Sequence, residues 1–403
     1  MAKGMPRYQI ADWEARNYTF SMRILIATSD YPPALGGMAE YSAAWAAELD
    51  RAGCDVDVLA RDHSAPSAGR KARVDAMRCS WNPGPLRDPW NALACLKRAE
   101  KNSRPDIVMA HTWIGWGPAL AWLKGRTGIP YVLSAHGAEI LGPRSSAYYA
   151  GLMTQSFRGA DAVFAVSSFT KNHVAALGLS KERIDVIGNG VDVSRFSPGP
   201  GSDGLRKKFG LEGKRVLLTV GGLVERKGHD TVIDALSRLR DSYPDLMYLI
   251  AGGWAMNSSR EGYLKEIVAR RGLQERVVFT GFVADEELPE IYRLADIFVM
   301  TGREIAEKGW VEGFGISYLE AAAAGLPVVA SDTGGVSEAV CGSNAIMVPS
   351  DDAVATAAAL SKLLDDSALR STMSLASRAW AGECTWTKRV SAGRAVMERI
   401  IAG

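Results

Sequence analysis

Three short stretches decide the architecture: Ile297-Phe298-Val299-Met300, then Glu312-Gly313-Phe314-Gly315-Ile316-Ser317-Tyr318-Leu319-Glu320-Ala321, then Val328-Val329-Ala330. The first and last are uninterrupted apolar runs of strand length, without the alternation of a half-exposed strand. Runs of that kind fit parallel strands covered by helices on both faces. Between them a loop rich in charge and glycine leads into an alanine-rich helical stretch, closed by Gly325-Leu326-Pro327. Strand, helix and strand in that order form a parallel crossover unit.

The same alternation extends outward from Arg23 to about Pro349. Strands are predicted at 24–28, 56–60, 107–110, 131–135, 162–166 and 184–187, and again at 216–220, 247–251, 277–280, 297–300, 328–330 and 345–348. Helices are predicted between them at 41–52, 230–239 and 264–271, among others. After Asp352 the pattern stays helical to the end, interrupted near Gly382-Glu383-Cys384-Thr385. The fold class is therefore α/β, doubly wound, twice over. Ser197-Pro198-Gly199-Pro200-Gly201-Ser202 separates the halves, since it continues neither helix nor strand. The division expected is an N-terminal extension at 1–21, a first domain at 22–198, a second at 199–383, and a last helix at 384–403 crossing back to the first. Ligands of such sheets bind at the carboxyl ends of the strands, here the cleft between the domains.

The chain has 403 residues, 47% hydrophobic and 23% charged, with a formal net charge of +2. That balance predicts no nucleic-acid partner. No stretch approaches the ~18 apolar residues of a membrane span, and no secretory signal opens the chain. Five scattered cysteines, Cys54, Cys79, Cys95, Cys341 and Cys384, never form a CxxC pair. They read as reduced thiols in a cytoplasmic protein.

Chemistry concentrates in four places. Glu312 precedes the helix beginning near Ile316, and Glu320 lies a turn inside it. Gly313 and Gly315 let the backbone approach a ligand, and the unpaired N–H groups of the helix start favour an anion by roughly 0.3–1 kcal/mol. A carboxylate presents two acceptor oxygens to a pair of hydroxyls. The second place is Val220-Gly221-Gly222-Leu223-Val224-Glu225-Arg226-Lys227-Gly228, a strand and glycine turn that aim two cations at a diphosphate. The third is Ser29-Asp30-Tyr31-Pro32-Pro33-Ala34-Leu35-Gly36-Gly37, paired glycines before a helix that suit phosphate. Neither a dinucleotide fingerprint nor a P-loop is present. Fourth, His111 and His136 each end an apolar strand at the cleft edge.

The E-x7-E motif beginning EGFG and running into a PVVA strand resembles the large family of retaining GT-B glycosyltransferases usually numbered four. The likeness is strongest to bacterial members that glycosylate lipids and polysaccharide precursors, such as the phosphatidylinositol mannosyltransferases. It covers nearly the whole chain from Arg23 onward. The resemblance implies a GT-B fold and a hexosyl transfer from a GDP- or UDP-sugar to a lipid-linked or saccharide acceptor. It implies that Glu312 contacts donor-sugar hydroxyls and Glu320 the ribose diol, with Gly313, Phe314, Gly315 and Ile316 beside the donor. It implies that Lys227, with Arg226, neutralises the leaving diphosphate, and that Gly36 and Gly37 face it. The family usually has Arg where this chain has Gly222, and Arg226 is the substitute. His136 is implied to sit beside the transferring sugar, and His111 is structural or lines the acceptor. Val283 and Asp285 are placed at the base by resemblance. A helix N-cap at Asp285, with Glu286 and Glu287 in the first turn, accounts for the same acids.

No metal or other cofactor is expected, because cations and helix N-termini take up the diphosphate's charge. The reaction implied is front-face retention, the diphosphate oxygen accepting the acceptor's proton. Between Arg61 and Arg104 ten Lys or Arg face four acids. Trp90, Leu93, Leu96, Lys97, Arg98 and Lys101 there fit either a basic amphipathic helix on the inner face of an anionic membrane or a helix whose apolar stripe meets the sheet. The other functions open to the sequence are a catalytically silent nucleotide-sugar-binding subunit and a GT-B nucleotide-sugar epimerase.

Overall fold

The computed structural model describes residues 21–34, 36–61, 76–79, 88–142, 146–253 and 258–403. Residues 1–20 of the extension and the basic residues Arg70, Lys71, Arg73 and Arg87 lie outside them.

The first sheet has seven parallel strands: β1 (Arg23–Thr28), β2 (Asp55–Arg61), β3 (Ala76–Cys79), β4 (Ile107–Ala110), β5 (Tyr131–Ala135), β6 (Ala162–Ala165) and β7 (Ile184–Val186). Their order is β3-β2-β1-β4-β5-β6-β7. The helices of this half are α1 (Gly37–Arg51), α2 (Asp88–Ser103), α3 (Trp116–Thr127), α4 (Ala138–Leu141), α5 (Ala147–Gly159) and α6 (Ser168–Ala175).

After α7 (Asp203–Lys208) comes a second parallel sheet of six: β8 (Arg215–Val220), β9 (Leu246–Ala251), β10 (Val277–Phe279), β11 (Ile297–Met300), β12 (Val328–Ser331) and β13 (Ala345–Val348). Its order, β10-β9-β8-β11-β12-β13, repeats the winding of the first. Here the helices are α8 (His229–Leu239), α9 (Ser258–Arg270), α10 (Leu288–Arg293), α11 (Ile316–Ala323), α12 (Val336–Ala339), α13 (Ala353–Asp365) and α14 (Ser367–Glu383), followed by α15 (Trp386–Ala402).

Every residue of β4, β5, β6, β11 and β12 is buried, because helices cover both faces. Leu93 and Leu96 of α2 pack into the core on one face of the first sheet, with α3 and α5. The opposite face is covered by α1 and α15, where Trp45, Trp386, Val390 and Met397 share one cluster. The twelve strands read from apolar runs are all present. The thirteenth, β3, escaped notice because Ala-Met-Arg-Cys forms an edge that is only half buried and carries no apolar run.

All five cysteines are free, Cys54 and Cys384 buried and the others partly so. Among the described residues no helix is long and apolar enough to cross a membrane.

Candidate active site

The carboxyl ends of the two sheets face each other, and the sequence candidates gather there. The turn after β8 lifts Glu225–Lys227 into one helical turn. Lys227 is 9% exposed and folds back over Gly221. Its Nζ lies 3.4 Å from Glu312 Oε2 and 3.3 Å from Met300 Sδ. Arg226 donates from Nη1 to the same Glu312 oxygen. Burial works against the charge of Glu312, yet the two cations outweigh it and hold the carboxyl at about 2. Burial lowers the Lys227 ammonium, Glu312 restores part of that loss, and Arg226 lowers it again. A buried group with two cations around one carboxylate keeps a net positive charge, which suits a ligand of higher negative charge.

Two helix N-termini open onto this cation pair's side of the cleft. Gly36 and Gly315 stand at the N-caps of α1 and α11, both at positive φ and neither bonded by a side-chain cap. The two ends oppose each other: a Cβ on Gly37 would lie 3.8 Å from Ile316 Cδ1. Ile316 packs against the core of the first domain although it belongs to the second. Uncapped N–H groups converging from two helices make an anion site.

His136 faces them from the end of β5. Its Nε2 donates to the His111 carbonyl at 3.0 Å, and its backbone N–H to Glu139 Oε1 at 2.5 Å. The ring stands edge-on to Tyr41, with centroids 4.7 Å apart. Burial lowers its pKa, against Glu139 and the carbonyl, so the imidazole is neutral near pH 7. The following chain meets Gly313 so closely that a Cβ there would lie 1.7 Å from His136 O. Only glycine permits that approach between domains.

At the far end Glu320 is 8% exposed. The Tyr292 hydroxyl donates to its Oε2 at 2.6 Å. Burial raises Glu320 to about 7; the Tyr292 bond and Arg195 resist that rise, while Glu40 and Asp285 add to it. Arg195 donates to Asp285 Oδ1 at 2.6 Å and to its carbonyl at 2.8 Å, and lies 3.7 Å from Glu40 on α1.

Several expectations change. Asp285 does not cap a helix: α10 has Glu287 at its N-cap with no side-chain bond, and Asp285 is taken by Arg195 instead. The Phe314 ring is buried in the second domain's core and the half-buried Val283 packs against it, which leaves their backbone as the part open to a donor. His111 is fully buried, with Nδ1 2.9 Å from Ser42 Oγ, so its side chain is structural and lines nothing. Nothing lies within 4 Å of a Cβ built on Gly222, so the missing arginine leaves open space that Arg226 does not fill. His63 lies outside the described residues, and His173 lies tilted against the Phe169 ring.

The sequence alone did not single out Arg195, Glu40, Tyr292, Glu139 or His229. The last is buried under the glycine turn, its Nε2 3.5 Å from Gly222 O and its pKa lowered to about 4 by burial and by Lys227. Glu139 alone carried a local signal, three residues from His136.

Two doubly wound parallel domains that meet across a cleft define the GT-B class of fold. The chain belongs to the glycosyltransferases, as a hexosyltransferase: residues 202–380 match the model described as glycosyl transferases group 1, and residues 35–195 the model of glycosyltransferase family 4. It is 32% identical over 378 residues to the GDP-mannose-dependent alpha-(1-6)-phosphatidylinositol monomannoside mannosyltransferase of Mycolicibacterium smegmatis, covering 92% of this chain and 96% of that one. A Corynebacterium glutamicum enzyme of the monoacylated acceptor is 27% identical, covering 93% and 97%. Anabaena HepE in complex with UDP shares the fold, with a TM-score of 0.77 at 22% identity over 94% of this chain and 100% of that one. So does sucrose-phosphate synthase of Thermosynechococcus elongatus, at 0.79 and 20% over 94% and 100%.

Proposed function

We propose that the cleft binds a nucleoside diphosphate hexose and transfers the hexosyl group, with retention and without a metal, to a lipid-linked or saccharide acceptor. One observation carries this: two cations and two uncapped helix N-termini converge beside a neutral histidine. The diphosphate lies on the α1 and α11 N-termini, beside Arg226 and Lys227. Glu320 as a carboxylate accepts from the ribose diol, and Glu312 turns to the hexose hydroxyls once the diphosphate engages its cations. Full-length similarity to GDP-mannose-dependent enzymes favours GDP-mannose as the donor.

In the chemical step the acceptor oxygen bonds to the anomeric carbon on the face that the diphosphate leaves. The bond from that carbon to the phosphate oxygen breaks, and the acceptor's proton passes to the departing phosphate. Lys227 and Arg226 stabilise the charge that develops there. His136, neutral and held by the His111 carbonyl, orients the sugar.

The site is cytoplasmic in this reading, with α2 resting against an anionic membrane. Leu93 and Leu96 face the sheet, so the contact is made by Trp90, 70% exposed, with the exposed Lys97, Arg98 and Lys101.

The test is a thermal-shift screen of UDP-, GDP- and ADP-sugars on wild type, Glu320→Ala and Lys227→Ala. GDP-mannose should raise the wild-type midpoint and neither variant's. Turnover of the stabilising donor should persist in EDTA and give a retained anomeric configuration by NMR. Lys227→Ala should lower kcat by about 10²–10³, roughly 3–4 kcal/mol. If no nucleotide sugar stabilises the wild type, the donor-site assignment fails.

A further inference from the structure

Just before Glu312, a small hairpin carries an aromatic side chain that the donor site does not use. Ile305 and Trp310 exchange backbone bonds, N–H to O at 2.8 Å one way and 3.1 Å the other. Lys308 at its tip lies 2.6 Å from the Glu225 carboxylate, next to Arg226, and 4.9 Å from the centre of the Trp310 ring. On the other side Gly309, at φ 61°, meets the end of α4: a Cβ there would lie 2.5 Å from Gly142 N. Helix α4 starts directly after His136-Gly137. The hairpin that carries the indole is thus pinned between Glu225, next to the cations, and the helix that follows the histidine. It is nevertheless 41% exposed.

A single exposed tryptophan is ordinary on a protein surface. One carried on a hairpin pinned by a bridge, an ion pair and an inter-domain glycine contact is different, because the backbone under it is ordered before any ligand arrives. An acceptor hydroxyl must reach the anomeric carbon beside His136 and the cation pair, and the group carrying it then falls next to Trp310. The setting of the indole is charged: the Lys308 ammonium lies over its ring, and Glu307 and Lys308 of the same hairpin are exposed. That setting disfavours a hydrocarbon chain and suits a ring with an apolar C–H face and polar edges.

We infer that Trp310 is the acceptor-side platform, stacking the sugar or cyclitol ring whose hydroxyl attacks. This rests on the glycosyl-transfer reading of the cleft. The experiment uses the full chain with 5-fluorotryptophan in place of tryptophan, the Trp310→Phe spectrum assigning its ¹⁹F signal. Titration with methyl α-mannopyranoside or myo-inositol should move that signal saturably, and titration with n-hexanol should not. With methyl α-mannopyranoside as acceptor, Trp310→Ala should raise the acceptor KM about tenfold, the size of one aromatic contact. It should lower kcat far less, and Trp310→Phe should recover most of the loss.

A signal unmoved by both ring compounds overturns the platform, as does one moved only by hexanol, which would mean an apolar tail. An unchanged acceptor KM in Trp310→Ala also overturns it. If the wild type transfers sugar from no donor, the transferase reading fails, and the titration still decides on the platform.

Discussion

Glu312 and Glu320 stand in one motif, Glu320 buried and Glu312 largely so, yet their surroundings push them in opposite directions. Glu312 has two cations on a single oxygen and ionises at about 2. Glu320 has burial, Glu40 and Asp285 against it, relieved only by Tyr292 and Arg195, and ionises at about 7. Between the ordinary carboxylate value and 7 the folded protein binds a proton that the unfolded chain releases, so stability falls as pH rises through that window. Glu320→Gln keeps an acceptor for Tyr292 and removes the charge. Differential scanning calorimetry should show the variant more stable at pH 8, by at most roughly 3 kcal/mol, and without the wild-type decline from pH 4.5 to 7. Donor affinity should move the other way, weaker in the variant and weaker in the wild type below pH 7, where the carboxylate that accepts from the diol is lost. Equal stabilities across that range would mean that Glu320 is not the group concerned.

The loop into α11 shows how an element places a site. It runs against the end of β5, with Gly313 on the His136 carbonyl and Glu312 O accepting from Gly335 N–H at 3.0 Å. Gly313→Ala would put a methyl group 1.7 Å from that carbonyl, so backbone on one side of the cleft must give way. Because the obstruction lies between domains, each domain should stay folded while the cleft widens. The expected outcome is an unchanged far-UV circular dichroism spectrum, a larger radius of gyration by solution X-ray scattering, and a kcat/KM lower by about 10²-fold. A variant of normal activity would show that the approach is not needed in turnover.

At the scale of the molecule, the chain crosses between domains twice, and the crossings lie side by side. Val191 N–H donates to Cys384 O at 2.9 Å where the two segments meet. Beyond that point α15 belongs to the first domain. Thr387 Oγ1 donates to Glu48 at 2.9 Å, Arg394 to Ala52 O at 2.9 Å, and a Cβ on Gly393 would meet Trp45 at 2.3 Å. Further contacts hold the cleft: Ser168 N–H donates to Glu338 at 2.7 Å, and Arg195 reaches both Glu40 and Asp285. Trp386 is buried in the first domain's core, so Trp386→Ala should destabilise that domain by about 3–5 kcal/mol. Chemical denaturation followed by fluorescence would measure it; a loss confined to the second domain would contradict this account of α15.

What the sequence determined by itself is what local pattern controls. Apolar runs between glycine turns specify parallel strands covered on both faces, and the spacing of Glu312, Glu320, Arg226 and Lys227 sets them at strand ends and helix starts. Only tertiary structure decided the protonation of the two glutamates, since Tyr292, Glu40 and Arg195 reach Glu320 from remote parts of the chain. It also decided that Asp285 answers to Arg195 rather than to a helix, that the Phe314 ring turns inward, and that His229 supports the glycine turn. The physical reason is that periodicity and turn chemistry act over a few residues, whereas burial and charge in a cleft depend on whatever the folded chain brings within a few ångströms.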